Sequence, residues 1–237
     1  PAELIEKLIP RFADEGAPDD CTLDRLDERA RFMLDIAHIL IDKFDGRIES
    51  LISKGNLLLI NNGSGLYELL EKFESYQDPL RKKSTVFIKL MEEAGLAHIH
   101  DPENLIPIMD YHMQRVLLRT GCVEVNDVDL QKKLRAHKQI KSDEEIRNAS
   151  VEATQLIAEE SGHGMLRMND FLWPLGRSCC KEKTLCADKA CNKNPCTFNE
   201  DVAIESHTRC IFDGTCIGSK QPDYRAYWQP IVETHYY

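Results

Sequence analysis

The stretch Asp110-Tyr-His-Met-Gln-Arg-Val-Leu-Leu-Arg-Thr-Gly121 predicts an amphipathic helix with both of its ends marked. Aspartate commonly caps the N-terminus of a helix, and glycine is the residue that most often follows its C-terminus. Apolar residues also recur at three-to-four spacing from residue 23 to residue 52, with Gly46 as the expected break. Because strand signals are sparse elsewhere, the sequence predicts an all-α fold of about eight to ten helices.

The net charge of the chain limits its expected partners, and its hydropathy limits its expected location. Its 237 residues carry a formal net charge of −10, which argues against generic binding to nucleic acid. Basic residues nevertheless dominate three local segments, residues 81–89, 115–141 and 177–193. No apolar run approaches the roughly 20 residues that cross a bilayer, and there is no secretory apolar core near residue 1. We therefore expect a cytoplasmic protein (nucleoid-associated if prokaryotic) that is not secreted and has no membrane partner.

Seven of the nine cysteines lie in the last quarter of the chain, and they predict a metal site. In the cytoplasm, closely spaced cysteines are more often metal ligands than disulfides, and thiolates suit iron–sulfur clusters and zinc. A [4Fe–4S] cluster is the preferred cofactor and zinc the alternative, because zinc sites usually show paired C-x-x-C spacing. The roles of Cys210 and Cys216 stay open. The candidate ligands are Cys179, Cys180, Cys186, Cys191 and Cys196.

Three motifs together resemble the catalytic core of the helix–hairpin–helix DNA glycosylases. They are Lys83-Ser-Thr-Val-Phe-Ile-Lys89, the segment 106–115 and Phe171-Leu-Trp-Pro-Leu-Gly-Arg177. Over residues 80–180 the chain is most similar to archaeal 8-oxoguanine DNA glycosylases, and the Gly-Arg pair before the cysteines resembles the endonuclease III and MutY branch. That branch spaces its four cluster cysteines by six, two and five. Here the gaps are six, four and four from Cys179, or five, four and four from Cys180, so the first ligand stays open.

The resemblance implies a two-part, all-α, HhH-GPD-like fold. It places a glycosylase-like domain at residues 1–178, with an active-site cleft between two helical lobes, and a cysteine-rich iron–sulfur loop and tail at residues 179–237. It implies a monomeric, bifunctional DNA glycosylase and β-lyase that flips a damaged or modified base out of DNA. Two alternatives are a nucleoside or RNA-base N-glycosidase and a non-catalytic iron–sulfur protein that binds nucleic acid. The acidic charge and the missing Leu-Pro-Gly-Val-Gly hairpin motivate the N-glycosidase alternative.

The resemblance assigns the catalytic roles to Lys83 and Asp110. A carboxylate near C1′ stabilises the oxocarbenium-like transition state of N-glycosidic cleavage, and a lysine amine can form a Schiff base. Lys82 is the rival amine, but about 100° of helix rotation separates it from Lys83, so only one of them is expected to face a pocket. Phe87, one turn further along, is expected to shield the Lys83 amine from water.

The same resemblance predicts base-binding and DNA-binding residues. Trp173 is expected to stack on the flipped base. Asn169, one turn earlier, matches a base-reading aspartate of the archaeal enzymes, and its amide offers a donor that a carboxylate lacks. The predicted phosphate contacts are Arg115, Arg119, Lys181, Lys183 and Lys193.

Overall fold

The protein is helical throughout the part of the chain that the structure describes. A computed structural model describes residues 1–13, 20–188, 190–191, 193, 196–204 and 207–236. Within these ranges there is no β-strand, and the extended contacts are two isolated bridges, Ala13 with Cys21 and Gln139 with Ile231. The all-α prediction is confirmed. None of the described helices is both long and apolar enough to cross a membrane.

Contacts divide the chain into two compact units. The first is Pro1–Ser84 with Leu90–Asn104, and the second is Thr85–Lys89 with Leu105–Tyr237. The predicted boundary after residue 178 falls inside the second unit. The helices up to this division, the last of which contributes residues to both units, are α1 (Ala2–Leu8), α2 (Leu26–Phe44), α3 (Ile48–Gly55), α4 (Leu66–Leu70) and α5 (Lys82–Glu93).

In the first unit, local chemistry sets where the helices end. The chain breaks between α2 and α3 at Gly46, whose φ of +72° is a conformation that glycine adopts readily. Before α5, the buried carboxylate of Asp78 accepts hydrogen bonds from the N–H groups of Leu80 and Lys82, both at 3.1 Å. The second bond gives the first N–H group of α5 a partner, and Asp78, Pro79 and Leu80 lie before the helix.

The second unit contains the remaining helices and a π-helical turn. They are α6 (Tyr111–Thr120), α7 (Val128–Arg135), α8 (Glu144–Ser161), α9 (Met165–Pro174), the π-helix Leu175–Cys179, α10 (Leu185–Asp188), α11 (Thr197–Val202), α12 (Ile217–Lys220) and α13 (Pro222–Arg225). The described residues thus form thirteen α-helices, more than predicted. Helices as short as α10, with four residues, show no readable periodicity.

Helix α6 is the centre of the second unit. It packs against α8, α9, the π-helix, α12 and α13. Every residue from Met113 to Arg119 is buried, so α6 has no solvent-facing side over these two turns. The helix has the predicted separation of polar and apolar residues, but its polar face is not exposed to solvent, because segments distant in sequence cover it.

The motif Phe171–Arg177 does not form one continuous helix with Cys179. Helix α9 ends at Pro174, and the next five residues form a π-helix. A proline removes a backbone donor and disturbs regular helix geometry. Gly176 is needed at this turn because a Cβ there would lie 2.8 Å from the carbonyl oxygen of His112. The two helices therefore meet with almost no space between their backbones.

Candidate functional site

Asp110 lies at the N-terminus of α6, as the sequence predicts. Its Oδ1 accepts a hydrogen bond from the N–H of Met113 at 3.0 Å, and the residue is only 6% exposed. A carboxylate in this position is favoured by the partial positive charge at the helix N-terminus. The N-cap is confirmed, and the catalytic role of Asp110 stays a prediction.

One turn into α6, Arg115 organises a buried polar network. Its Nε donates to the carbonyl of Cys180 and its Nη2 to the carbonyl of Gly176, both at 2.9 Å. Nη2 also lies 2.9 Å from Nδ1 of His112. Burial, followed by the charge of Arg119, lowers the pKa of Arg115 to about 10, so the group stays charged at neutral pH. A charged donor therefore links α6 to the π-helix.

The structure corrects the prediction that Arg115 and Arg119 contact DNA phosphates. They are 2% and 3% exposed. Arg119 donates from Nε to the Tyr227 carbonyl at 2.7 Å, and from Nη1 to the carbonyls of Cys180 at 2.9 Å and Lys181 at 2.7 Å. Both guanidinium groups are committed to the interior. The other three predicted phosphate contacts are exposed, namely Lys181, Lys183 and Lys193.

The predicted base platform, Trp173, is half-buried on α9 and contacts groups that could orient a ligand. The Arg177 guanidinium lies 5.0 Å from the centroid of its ring, and the His112 ring meets it edge-on at 6.2 Å with an interplanar angle of 87°. Asn169 is also half-buried and lies four residues earlier, on the same side of α9. Asp170 forms an ion pair of 2.9 Å with Lys89. The base-binding roles of Trp173 and Asn169 stay predictions.

Lys83 belongs to the first unit, whereas Phe87, its predicted shield, belongs to the second. Within the first unit the Lys83 amine lies 5.5 Å from the ring centroid of Phe32, a contact that the sequence did not indicate. Burial, followed by the charge of Lys82, lowers the pKa of Lys83. A lysine with a lowered pKa is more readily deprotonated, which is the form that a nucleophile or base requires.

The cysteines divide into two groups. Cys179, Cys180 and Cys186 line one cavity together with Cys210 and Cys216. The other two predicted ligands, Cys191 and Cys196, are not among the residues that line it. Burial raises the pKa of Cys179 to about 12 and that of Cys210 to about 11.

Within the described ranges, no group of three or more His, Cys, Asp or Glu side chains is placed to hold a metal ion. The description of the chain as an iron–sulfur, metal-binding protein therefore has no support from a ligand set among these residues. The cofactor itself, a [4Fe–4S] cluster or zinc, stays a prediction, and metal analysis of the purified protein would test it.

Two participants in the network were not predicted. His112 lies inside the motif that pointed to Asp110, so only its neighbours gave a signal. Trp228 lies in the aromatic-rich end of the chain, where the sequence shows no motif. In the structure, both side chains contact Arg115.

Most of the chain matches the model of a known protein family. The family model described as queuosine salvage protein matches residues 16–183, well over half of the chain. No curated protein and no solved structure matches the chain. The interpretation as a DNA glycosylase and β-lyase of base excision repair is therefore wrong, since the matching family is a different one. The helix–hairpin–helix form of the fold is not confirmed. The matched segment contains Lys83, Asp110 and Trp173.

Proposed function

The chain belongs to the queuosine salvage protein family, and from that premise we propose that it is an N-glycosidase acting on a queuosine-type nucleoside. Queuosine is a nucleoside, so its modified base is joined to C1′ of ribose by an N-glycosidic bond. Recovering the base requires that this bond be broken. The family therefore supports the nucleoside N-glycosidase, which was the alternative to DNA repair, as the better interpretation.

The buried carboxylate of Asp110 is the observation that carries this proposal. Hydrolysis breaks the bond between C1′ and the base nitrogen, and the bonding electrons leave with the base. Positive charge then develops on C1′ and the ring oxygen, and a fixed carboxylate in a water-poor site stabilises it. The hydrogen bond from the Met113 N–H holds Asp110 before the substrate arrives. Preorganisation of this kind lowers the reaction barrier.

A water molecule completes the reaction. Its oxygen bonds to C1′, one of its protons passes to Asp110 or to solvent, and the base leaves with a proton on its nitrogen. The products are the free base and ribose. Because hydrolysis needs no Schiff base, we assign Lys83 no covalent step.

Trp173 and Asn169 support recognition of the base. A half-buried indole offers a flat apolar face for stacking. The Asn169 amide can both donate and accept, which suits a purine-like base edge that carries donors and acceptors. Neither contact requires duplex DNA, in agreement with the interior position of Arg115 and Arg119.

The test measures release of free base from queuosine by liquid chromatography and mass spectrometry, with guanosine as the comparison nucleoside. We expect the wild type to release the queuosine base and Asp110→Asn to lose about 100-fold or more in kcat, the scale seen when a transition-state charge partner is removed. Asp127→Asn is the matched control, because Asp127 caps the exposed start of α7 by accepting from the N–H groups of Asp129 and Leu130.

Either of two outcomes would contradict the proposal. If the wild type releases no base from queuosine or its nucleotide forms, the N-glycosidase assignment fails. If Asp110→Asn and Asp127→Asn are equally active, Asp110 is not the catalytic carboxylate, and a glycosidase activity would require a different one.

A further inference from the structure

Trp228 lies beyond the family match, which ends at residue 183, yet it packs on the two buried arginines of α6. The Arg115 guanidinium carbon lies 4.5 Å from the Trp228 ring centroid, and that of Arg119 lies 5.7 Å away. The His137 ring stacks on Trp228 at 4.8 Å with an interplanar angle of 13°. Two guanidinium groups of α6 and an imidazole from the segment after α7 thus contact one indole.

The backbone around Trp228 is held on both sides. The carbonyl of Tyr227 accepts from Nε of Arg119 at 2.7 Å, and the hydroxyl of Tyr227 lies 3.1 Å from Nη2 of Arg135. Three residues after Trp228, the carbonyl of Ile231 accepts from the N–H of Ile140 at 2.9 Å. The indole is therefore placed by contacts that are independent of its own stacking.

Chemistry fixes the proton positions at the other end of this chain of contacts. An arginine guanidinium has donors and no acceptor, so Nδ1 of His112, 2.9 Å from Nη2 of Arg115, must accept. The proton of the neutral imidazole then lies on Nε2. His112 is two residues from Asp110, and its ring meets Trp173 edge-on. The tautomer of His112 therefore depends on where Arg115 is held.

We propose that Trp228 is a positioning residue of this enzyme, which holds Arg115 so that its guanidinium keeps His112, two residues after Asp110, in the Nε2–H tautomer and edge-on to Trp173. This inference rests on the proposed N-glycosidase function. A flat indole matches the plane of a guanidinium, whereas an aliphatic side chain of similar volume offers neither the flat face nor the ring electrons. Trp228 touches no reacting atom and acts through Arg115.

The activity test compares Trp228→Leu, Trp228→Phe and a control, Tyr236→Leu. Tyr236 is an aromatic residue of the same terminal segment, but it faces a different arginine, Arg147, at 5.5 Å. We expect Trp228→Leu to lower kcat by about 10- to 100-fold with KM nearly unchanged, since small misplacements of catalytic groups have effects of this size. Trp228→Phe restores a ring face and should recover most of the activity, and Tyr236→Leu should match the wild type.

A second measurement does not use activity. In ¹⁵N NMR of the wild type, His112 should show a protonated Nε2 and an unprotonated Nδ1, and in Trp228→Leu the two tautomers should exchange. A wild-type His112 protonated at Nδ1 would overturn the inference, even if Trp228→Leu failed to fold. An unchanged kcat in Trp228→Leu would also overturn the inference. So would a Trp228→Phe enzyme whose kcat is no higher than that of Trp228→Leu. If the wild type releases no base, the proposed function fails, while the NMR result still decides the tautomer.

Discussion

Two parts of the second unit bury polar side chains in opposite ways. In α6, the guanidinium donors of Arg115 and Arg119 meet backbone carbonyls at 2.7–2.9 Å and pack on one indole. Around the cysteine-lined cavity, the sulfur contacts are longer, such as 3.6 Å from Arg119 Nη1 to Cys180 Sγ. Short, charge-assisted hydrogen bonds fix geometry, whereas thiols are weak partners that tolerate small shifts. We therefore expect substitutions of the α6 arginines to destabilise the protein, and substitutions of the cysteines that line the cavity to have little effect on stability.

The largest effect of a substitution is expected at Arg115. Arg115→Met should lower the free energy of unfolding by about 3 kcal/mol, because the buried carbonyls of Cys180 and Gly176 lose charged donors. Urea denaturation monitored by circular dichroism measures the change. The control is Arg177→Met, which removes an exposed cation–π contact and should cost less than about 1 kcal/mol. Equal losses of stability in the two variants would show that the buried hydrogen bonds of Arg115 stabilise the protein no more than the exposed contact of Arg177 does.

A smaller loss of stability is expected where the π-helix lies close to α6. Gly176→Ala should cost about 1–3 kcal/mol of stability, since the added methyl would meet the His112 carbonyl oxygen at 2.8 Å. Gly164→Ala, at the N-cap of α9, adds a methyl to open space and should cost less than about 1 kcal/mol. Thermal unfolding of both variants is the measurement. A Gly176→Ala protein as stable as Gly164→Ala would mean that the two helices have room to separate.

The cavity should tolerate change better than α6. Cys216→Ser keeps a polar hydrogen that can reach the Arg119 carbonyl, where the thiol now donates at 3.5 Å, and should alter stability by less than about 1 kcal/mol. Urea denaturation in parallel with Arg115→Met provides the test. A loss as large as that of Arg115→Met would place the thiols among the residues that specify the fold.

Thiol reactivity reports the smallest effect, in which stability does not change. A pKa raised to about 12 for Cys179 and about 11 for Cys210 keeps both thiols protonated until the pH approaches those values. Since only the thiolate is alkylated, iodoacetamide at about pH 8 should modify the exposed Cys122 first and these two last.

Raising the pH to about 10 should accelerate modification of Cys210 by about 100-fold, in proportion to its thiolate fraction. Peptide mass spectrometry over a time course follows each site. Alkylation of Cys179 or Cys210 at the rate of Cys122 near pH 8 would contradict the raised pKa values.

Local patterns predicted the helices that have clear ends. The start of α6 at Asp110 and its end before Gly121 follow from capping chemistry, and the break between α2 and α3 follows from Gly46. Patterns failed where distant segments intervene. Arg115 and Arg119 look like a solvated basic face, but α12, α13 and the segment around Trp228 cover that face.

The sequence by itself determined the helical class and the N-cap at Asp110, because both depend on neighbouring residues. The order of its motifs indicated the wrong family, which the match to the queuosine salvage protein family corrected. Only the tertiary structure decided which polar side chains are interior. The burial of a charged group depends on partners that supply acceptors, and those of α6 come from residues 176, 180, 181 and 227, about 60 to 110 positions away along the chain. No local period encodes contacts at that separation. For this reason the cysteine spacing was the most prominent pattern in the sequence, whereas the hydrogen bonds of Arg115 and Arg119 link the helices of the second unit.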